Sequence, residues 1–331
     1  SNFINKINKM EIKDVKENEE KLARGKSLPN FKQELKTFED KKFYKVALFF
    51  PILGVVIFSI MPIVFMILIA FTNYGGDHIP PRLVDWTGFD SFKKIFSVGN
   101  LKESLGKIIL WNFIWAILAT AINYFGGLFL ALLLNKECVK GKAFWRLFPV
   151  LAYAGPGFIT LIGFKFLFSY GGPINYYIVK AGHNAVGFLD IDAGIKAKIV
   201  GLFVNAWCSI PSGMLLATGI LSNLNTELHD AAAIDGAGAW KKFTKITLPF
   251  MIFSTTPVLI TSFVGNFNNF GVFYFLRGGL YNDGYFLASD TDLLINWLYN
   301  LSIDNNYYSI GAAVSLIIFL ITSAISLFVY V

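Results

Sequence analysis

The chain has 331 residues, of which 55% are hydrophobic and 15% charged, with a mean hydropathy of +0.55. That is too apolar for an ordinary soluble protein. The formal charge of +7 does not point to nucleic acid, because the basic residues sit mainly in the N-terminal segment and between hydrophobic runs, where anionic lipid headgroups are the natural partners.

Residues 1–43 are polar and mixed in charge, with Lys, Arg and Glu crowded into Lys6–Lys26 and Phe3, Ile7 and Met10 at helical spacing. A partly helical cytoplasmic extension is expected, followed by a transmembrane domain over 44–331. A signal peptide is excluded because the first hydrophobic run comes too late and is too long. The start at Ser1 and the end at Val331, which leaves the last hydrophobic run without a polar tail, suggest truncation at both ends.

Crossing a bilayer takes about 20 helical residues. Runs of that length fall at Tyr44–Thr72, Ile108–Leu134, Leu147–Tyr170, Ala197–Leu221, Pro249–Phe275 and Tyr308–Val331. The fold class is therefore all-α, a polytopic membrane protein with six transmembrane helices. An even number of spans places both termini on one side. Lys41, Lys42 and Lys45, then Lys136, Lys140, Lys142 and Arg146, argue that this side is cytoplasmic. Lys93, Lys94, Lys102 and Lys107 fall in an outer loop and weaken the bias. Cys138 and Cys208 read as inert thiols rather than a disulfide. His78, His183 and His229 match no metal-ligand spacing.

The outer segments carry structure of their own. Pro173–Ala181 reads as a short interfacial helix, and Thr291 as the cap of a helix over Asp292–Leu301. Tyr281, Tyr285, Trp297, Tyr299, Tyr307 and Tyr308 suit either a headgroup belt or the floor of a docking surface for an external protein.

Between spans four and five lies a polar segment, 223–248. It reads as two short helices around a glycine break. Asn225 or Thr226 caps the first, which carries Leu224, Leu228 and Ala231 on one face. Gly236 and Gly238 allow the turn. Trp240, Phe243 and Ile246 then share a side opposite Lys241, Lys242 and Lys245, and Pro249 opens the next apolar run. An amphipathic helix on the membrane surface has the same pattern.

Chemistry is sparse. No G-x-x-x-x-G-K-[ST] phosphate loop occurs, so the chain alone cannot hydrolyse ATP. Lys45 and Lys198 sit at span ends, and Lys165 lies where it reaches outward to headgroups. An ion-coupled secondary carrier needs a mid-membrane charge, and the spans offer none. Instead, Asn205, Ser209 and Ser212 share a face of span four, and Ser262, Gly265, Asn266 and Asn269 share a face of span five. These amides and hydroxyls suit a neutral polyhydroxy ligand, or they hydrogen-bond the two helices to each other.

Asp230-Ala231-Ala232, Gly236 and Ile246-Thr247-Leu248-Pro249 resemble, at the family spacing, the cytoplasmic loop of binding-protein-dependent ABC importer permeases. Asp235-Gly236-Ala237 adds the form common in sugar permeases. The family usually has Glu at Asp230, a change that keeps the charge. Ser262-Phe263 with Asn266-Phe267-Asn268-Asn269-Phe270 resembles the fifth span of maltose/maltodextrin permeases of the MalF type. Asn205, Trp207 and Pro211 resemble the span before it, and Thr291-Asp292-Leu293-Leu294 the last outer loop. Asn73-Tyr74, Pro80-Pro81 and Asp85-Trp86 resemble the first outer loop of Gram-positive members.

The resemblance implies the type I ABC importer permease fold. It implies a sugar site at Asn205, Ser209, Ser212, Ser262, Gly265, Asn266 and Asn269. It also implies an ATPase-coupling set of Glu227, Asp230, Ala231, Ala232, Asp235, Gly236 and Ala237. Implied partners are a second permease subunit, two ATPase subunits that use ATP and Mg, and a lipid-anchored extracellular sugar-binding protein. No cofactor is bound by this chain. Maltose-handling members tend to have Gly and Tyr at Ser209 and Ser212 and Phe at Gly265, so this pocket should be wider. A uronate oligosaccharide, glycerol phosphate or another sugar remains an alternative substrate. A secondary carrier or a non-transporting scaffold is the alternative of a different class.

Overall fold

The computed structural model describes residues 43–76, 78–79, 82–136, 138–224 and 226–330. The expectations placed on residues 1–42, Pro80–Pro81, Asn225 and Val331 lie outside these. The chain divides into two compact units, Ser1–Phe65 and Met66–Val331.

In the first unit, helix α1 (Phe43–Val55) continues through a wide π turn (Val56–Ile60) into α2 (Met61–Ala70), which runs past the unit boundary. The cause of the π turn lies two residues beyond it. Pro62 lacks an N–H and its ring would strike the carbonyl four residues back. The chain widens instead, and the Met61 N–H donates to Val56 O.

The second unit follows with α3 (Asp90–Ser97), α4 (Gly99–Asn135), α5 (Lys142–Ala154) and α6 (Gly157–Phe168). Next come α7 (Pro173–Lys180), α8 (Ile195–Leu221), α9 (Thr226–Ile234) and α10 (Ala239–Lys242). A second π turn (Phe243–Thr247) joins α10 to α11 (Leu248–Phe267), and α12 (Gly271–Arg277), α13 (Leu294–Tyr299) and α14 (Tyr308–Tyr330) complete the chain. The described residues form no strand, only two isolated bridges, Thr72 with Trp86 and Gly75 with His78.

Six stretches of the described residues are long and apolar enough to cross a membrane: Ala47–Ala70, Gly99–Asn135, Gly157–Lys180, Ile195–Leu221, Ala239–Arg277 and Tyr308–Leu327. The expected spans are all present, with two corrections. The third run is two helices, because Gly155 is extended (φ −71°, ψ 150°) and Pro156 cannot continue the ladder of α5. The fifth run breaks at Asn268–Phe270, and α12 starts anew. Pro249 also does not begin a helix. The second π turn carries α10 into α11 ahead of it, with the Leu248 N–H donating to Phe243 O, as at Pro62.

The two long helices α4 and α8 cross at glycines. A Cβ on Gly127 would lie 2.7 Å from the Gly213 carbonyl carbon, and one on Gly213 would lie 3.2 Å from Asn123 O. Small residues let backbones approach where helices meet in a membrane. Leu128, Ala131, Met214, Ala217 and Met251 pack beside this crossing.

The loops following spans one, three and five are tied together. The Gly76 N–H donates to Asn306 O and the Ser309 N–H to Tyr74 O. Arg277, 2% exposed, is the centre of the tie. Its Nη1 donates to Asp290 Oδ1 (2.7 Å) and Thr291 Oγ1 (2.9 Å), and its Nε and Nη2 reach the carbonyls of Leu189, Asp190 and Ile191. Thr291 is therefore not a helix cap. The helix begins at Leu294, where Asn296 Oδ1 accepts the Leu293 N–H. Trp297 is buried, not part of a headgroup belt, and its Nε1 donates to Phe286 O at 2.7 Å. Lys198 packs over the Trp111 ring at 4.4 Å instead of extending to headgroups.

Asp292 lies in the same loop. Burial is the main cause that pushes its carboxyl from 3.8 up to about 6, against hydrogen bonds from the Ser289 N–H and hydroxyl, the Arg277 charge and the Asn300 amide.

A Val in place of Gly127 should lower the thermal unfolding temperature of the detergent-solubilised protein, at a cost of roughly 1–3 kcal/mol for overpacking. Gly219→Ala, where an added Cβ meets no atom within 4 Å, is the control. An equal effect of the two changes would contradict a tight crossing. For Asp292, the folded state binds the proton first. Stability should thus rise as pH falls from 7 through 6 toward 4, and fall again as pH rises. The unfolding temperature of the wild type relative to Asp292→Asn should increase over that window; a constant difference would show that this carboxyl does not titrate there.

Candidate functional site

Helix α11 stops at Phe267 inside an apolar stretch, and an α-helix that stops leaves carbonyls without intrahelical donors. Side chains supply them. Trp115 Nε1 donates to Asn266 O (3.0 Å) and Asn112 Nδ2 to Phe267 O (3.0 Å); past the break, Asn296 Nδ2 donates to Phe270 O (2.8 Å), which also accepts the Tyr274 N–H of α12. On the far side of the break, Asn269 Oδ1 accepts the Val272 N–H at the start of α12.

Beside the break, α4, α8 and α11 enclose a cavity of about 470 Å³, within the range of about 300–1,000 Å³ usual for small-molecule sites. Asn205, Ser209 and Ser212 line it from α8, and Ser262, Gly265 and Asn266 from α11, with Asn269 at the break. All seven residues of the expected sugar site thus face one space. Among the described residues, none of the lining side chains is charged.

The asparagines also bond to one another. Asn269 Nδ2 donates to Asn205 Oδ1 (3.1 Å), Asn205 Nδ2 to Asn266 Oδ1 (3.4 Å), and Asn266 Nδ2 to Thr120 Oγ1 on α4 (3.0 Å). The two meanings open at the sequence level, an inter-helix tie and a cavity wall, describe the same groups. Each amide keeps spare capacity, since it carries two donor hydrogens and two acceptor lone pairs. Ser212 bonds back to its own helix, donating to Ser209 O at 2.8 Å. A Cβ on Gly265 would meet no atom within 4 Å, so the space at this position is empty. Phe263 and Phe267 pack away from the cavity, into the core around Trp297.

The segment between α8 and α11 forms the expected pair of short helices. Helix α9 ends in a tight cap. The Gly236 N–H donates to Ala233 O and the Ala237 N–H to Ala232 O, and Gly236 has φ +73°. Gly238 is different. It is extended (φ −67°, ψ 167°) and needs no glycine. Glu227, Asp230, Ala231, Ala233 and Asp235 are exposed, and the apolar side chains of Leu228 (54%), Ile234 (88%) and Trp240 (76%) face outward. His229 Nε2 lies 3.3 Å from Thr247 Oγ1 in the π turn and ties the pair to it.

No protein-family model matches the chain. It is 35% identical over 281 residues to the maltodextrin transport system permease protein MalC of Streptococcus pneumoniae, covering 82% of this chain and 64% of that protein. It is 32% identical over 285 residues to the galactooligosaccharides transport system permease protein GanP of Bacillus subtilis, covering 84% of this chain and 67% of that one. The chain belongs to the permease family of ABC sugar-transport systems. The fold is also that of a chain in the crystal structure of a bacterial ABC transporter for the acidic polysaccharide alginate. The TM-score is 0.72 at 19% identity, over 90% of this chain and 97% of that one. The matched region spans about two thirds of the length of these curated relatives.

The permease is a multi-pass membrane protein, and its cavity has a wall that sequence reasoning missed. Thr120, Asn123 and Tyr124 line it from α4, and Thr255, Val258 and Leu259 extend it along α11. The signal was available: Thr120, Asn123 and Tyr124 fall at i, i+3 and i+4 in an otherwise apolar run, so they share a face. The hydroxyls of Tyr124 and Thr255 lie 3.0 Å apart.

In the permease, Gly236→Ala should destabilise the end of α9 by about 1 kcal/mol, the cost of forcing a Cβ into the left-handed region. Gly238→Ala should be neutral. Amide exchange of the 226–237 segment distinguishes the two, and equal protection in both variants would contradict the cap.

Proposed function

We propose that the permease is the membrane-spanning subunit of an ATP-driven importer of a neutral oligosaccharide, of maltodextrin type. The carrying observation is the uncharged cavity, lined by amides and hydroxyls, between α4, α8 and α11. Hydroxyls of a sugar are donors and acceptors together, and so are asparagine amides. An acidic oligosaccharide calls for Arg or Lys in the wall, and none lines it among the described residues. The relatives named for maltodextrin and galactooligosaccharide transport support the same class.

The energy enters from a partner. The sequence has no phosphate loop, so ATP and Mg belong to a pair of ATPase subunits. The exposed segment at 227–237 is the docking element for one of them, with Glu227, Asp230, Ala231, Ala232, Asp235, Gly236 and Ala237 at the contact. On this reading the segment, the loop between spans two and three, and residues 1–43 lie in the cytoplasm of a bacterial cell. The tied loops around Arg277 then face outward, toward a sugar-binding protein. A second permease completes the path; a neighbouring fold has been solved with a periplasmic protein carrying its alginate oligosaccharide. Closure of the ATPase pair would rock the helices between inward- and outward-facing arrangements.

The test is ATP hydrolysis by the reconstituted complex, driven by binding protein loaded with maltotetraose. Stimulation is expected, and Asn266→Ala should reduce it at least tenfold while the ATPase subunits still co-purify. Gly236→Leu should leave membrane insertion intact and uncouple hydrolysis from uptake. If no neutral oligosaccharide stimulates the complex, or if Asn266→Ala responds like the wild type, the reading is wrong.

A further inference from the structure

The cavity is longer than its ring of asparagines. Three helices agree on its direction. Thr120 bonds Asn266 at one level, and a turn farther along α4 Tyr124 meets Thr255 at another. Helix α8 passes the first level at Asn205 and the second near Leu216, and α11 runs the opposite way from Thr255 to Asn266. On α11 the residues of the two levels lie about three turns apart, and on α4 about one. Six lining residues form the second level: Asn123, Tyr124, Gly213, Leu216, Thr255 and Leu259. Neither Asn205 nor Asn269 bonds to any of them.

Asn123 is unlike the other cavity asparagines. Its Oδ1 is shut off from solvent and accepts no hydrogen bond among the described residues. A buried acceptor left empty is costly, and natural cores rarely keep one without a purpose. Its terminal torsion is soft, so the amide can turn and present oxygen or nitrogen to the cavity. Beside it the Tyr124 ring is held by its hydroxyl against Thr255. Tyr124 offers a flat apolar face where the positions of Ser212 and Gly265 offer none.

The geometry points to a second sugar subsite at this inner end, built on Asn123 and Tyr124 and accepting a further ring of a neutral oligosaccharide. Asn123 exchanges hydrogen bonds with ring hydroxyls, and Tyr124, Leu216 and Leu259 cover the apolar sugar faces. This rests on the oligosaccharide reading above and deepens it, since a ligand that fills both levels must have more than one unit.

The experiment compares substrates of two lengths in the reconstituted complex. The ratio of kcat/KM for ATP hydrolysis with maltotetraose to that with maltose is measured in the wild type, Asn123→Leu and Tyr124→Leu. Both variants should lower the ratio at least fivefold. Asn123→Leu should also keep or raise the unfolding temperature, because it removes an unpaired polar group from the interior. If the ratio is unchanged, or the unfolding temperature of Asn123→Leu falls together with every activity, Asn123 is a packing residue and the subsite is overturned. A wild-type complex that responds to neither sugar overturns the parent reading instead.

Discussion

A helix that ends within an apolar medium must have its last carbonyls answered from elsewhere, because no water is there to do it. In this permease that requirement falls on Asn266 and Phe267, and it is met by Trp115 and Asn112 of α4, while Asn296 of α13 donates to the Phe270 carbonyl at the start of α12. Much of the second unit can be traced from these bonds. They hold α4 against α11. They bring Trp111 and Trp115 against Phe273. They also fix α13 under the break, with Asn112 Oδ1 accepting the Leu294 N–H at 2.8 Å. The cavity lies beside this break, with Asn269 lining it from the break itself.

The same economy governs the polar wall. Asn205, Asn266 and Asn269 tie α8 to α11 and to the break, yet an amide with four hydrogen-bonding positions is not exhausted by one or two bonds. Fixing the three to each other holds their amides in place, and groups already held lose less freedom when they meet another molecule. The glycine crossing of α4 and α8 does the complementary task. It brings the backbones together beside the cavity, so that the space is closed on one side without bulky side chains intruding.

Much of this was legible in the sequence. The six apolar runs, the two helices around Gly236 and the faces carrying Asn205 and Asn266 follow from periodicity, which is local information. The break in span five was not. Between Phe267 and Phe275 only Asn268, Asn269 and Gly271 interrupt the apolar residues, and the donors that make a stop tolerable, Trp115 and Asn112, lie some 150 positions earlier in the chain. The role of Thr291 was missed for the same reason: a hydroxyl before a helical pattern reads as a cap, and only the fold brings Arg277 to claim it. Gly238 shows the limit of reading glycine by type, since its backbone is one that any residue adopts. Asn123 was overlooked because span two was searched for apolar length and not for its polar face.

The π turn at Phe243–Thr247 has a mechanical consequence. Because it replaces what would otherwise be a loop, α10 and α11 form one uninterrupted rod from Ala239 to Phe267. One end displays Trp240 to the surroundings, and the other carries Asn266 at the polar wall. No loop therefore separates the tryptophan from the asparagine: about 40 Å of helical backbone, with Pro257 inside it, joins the two.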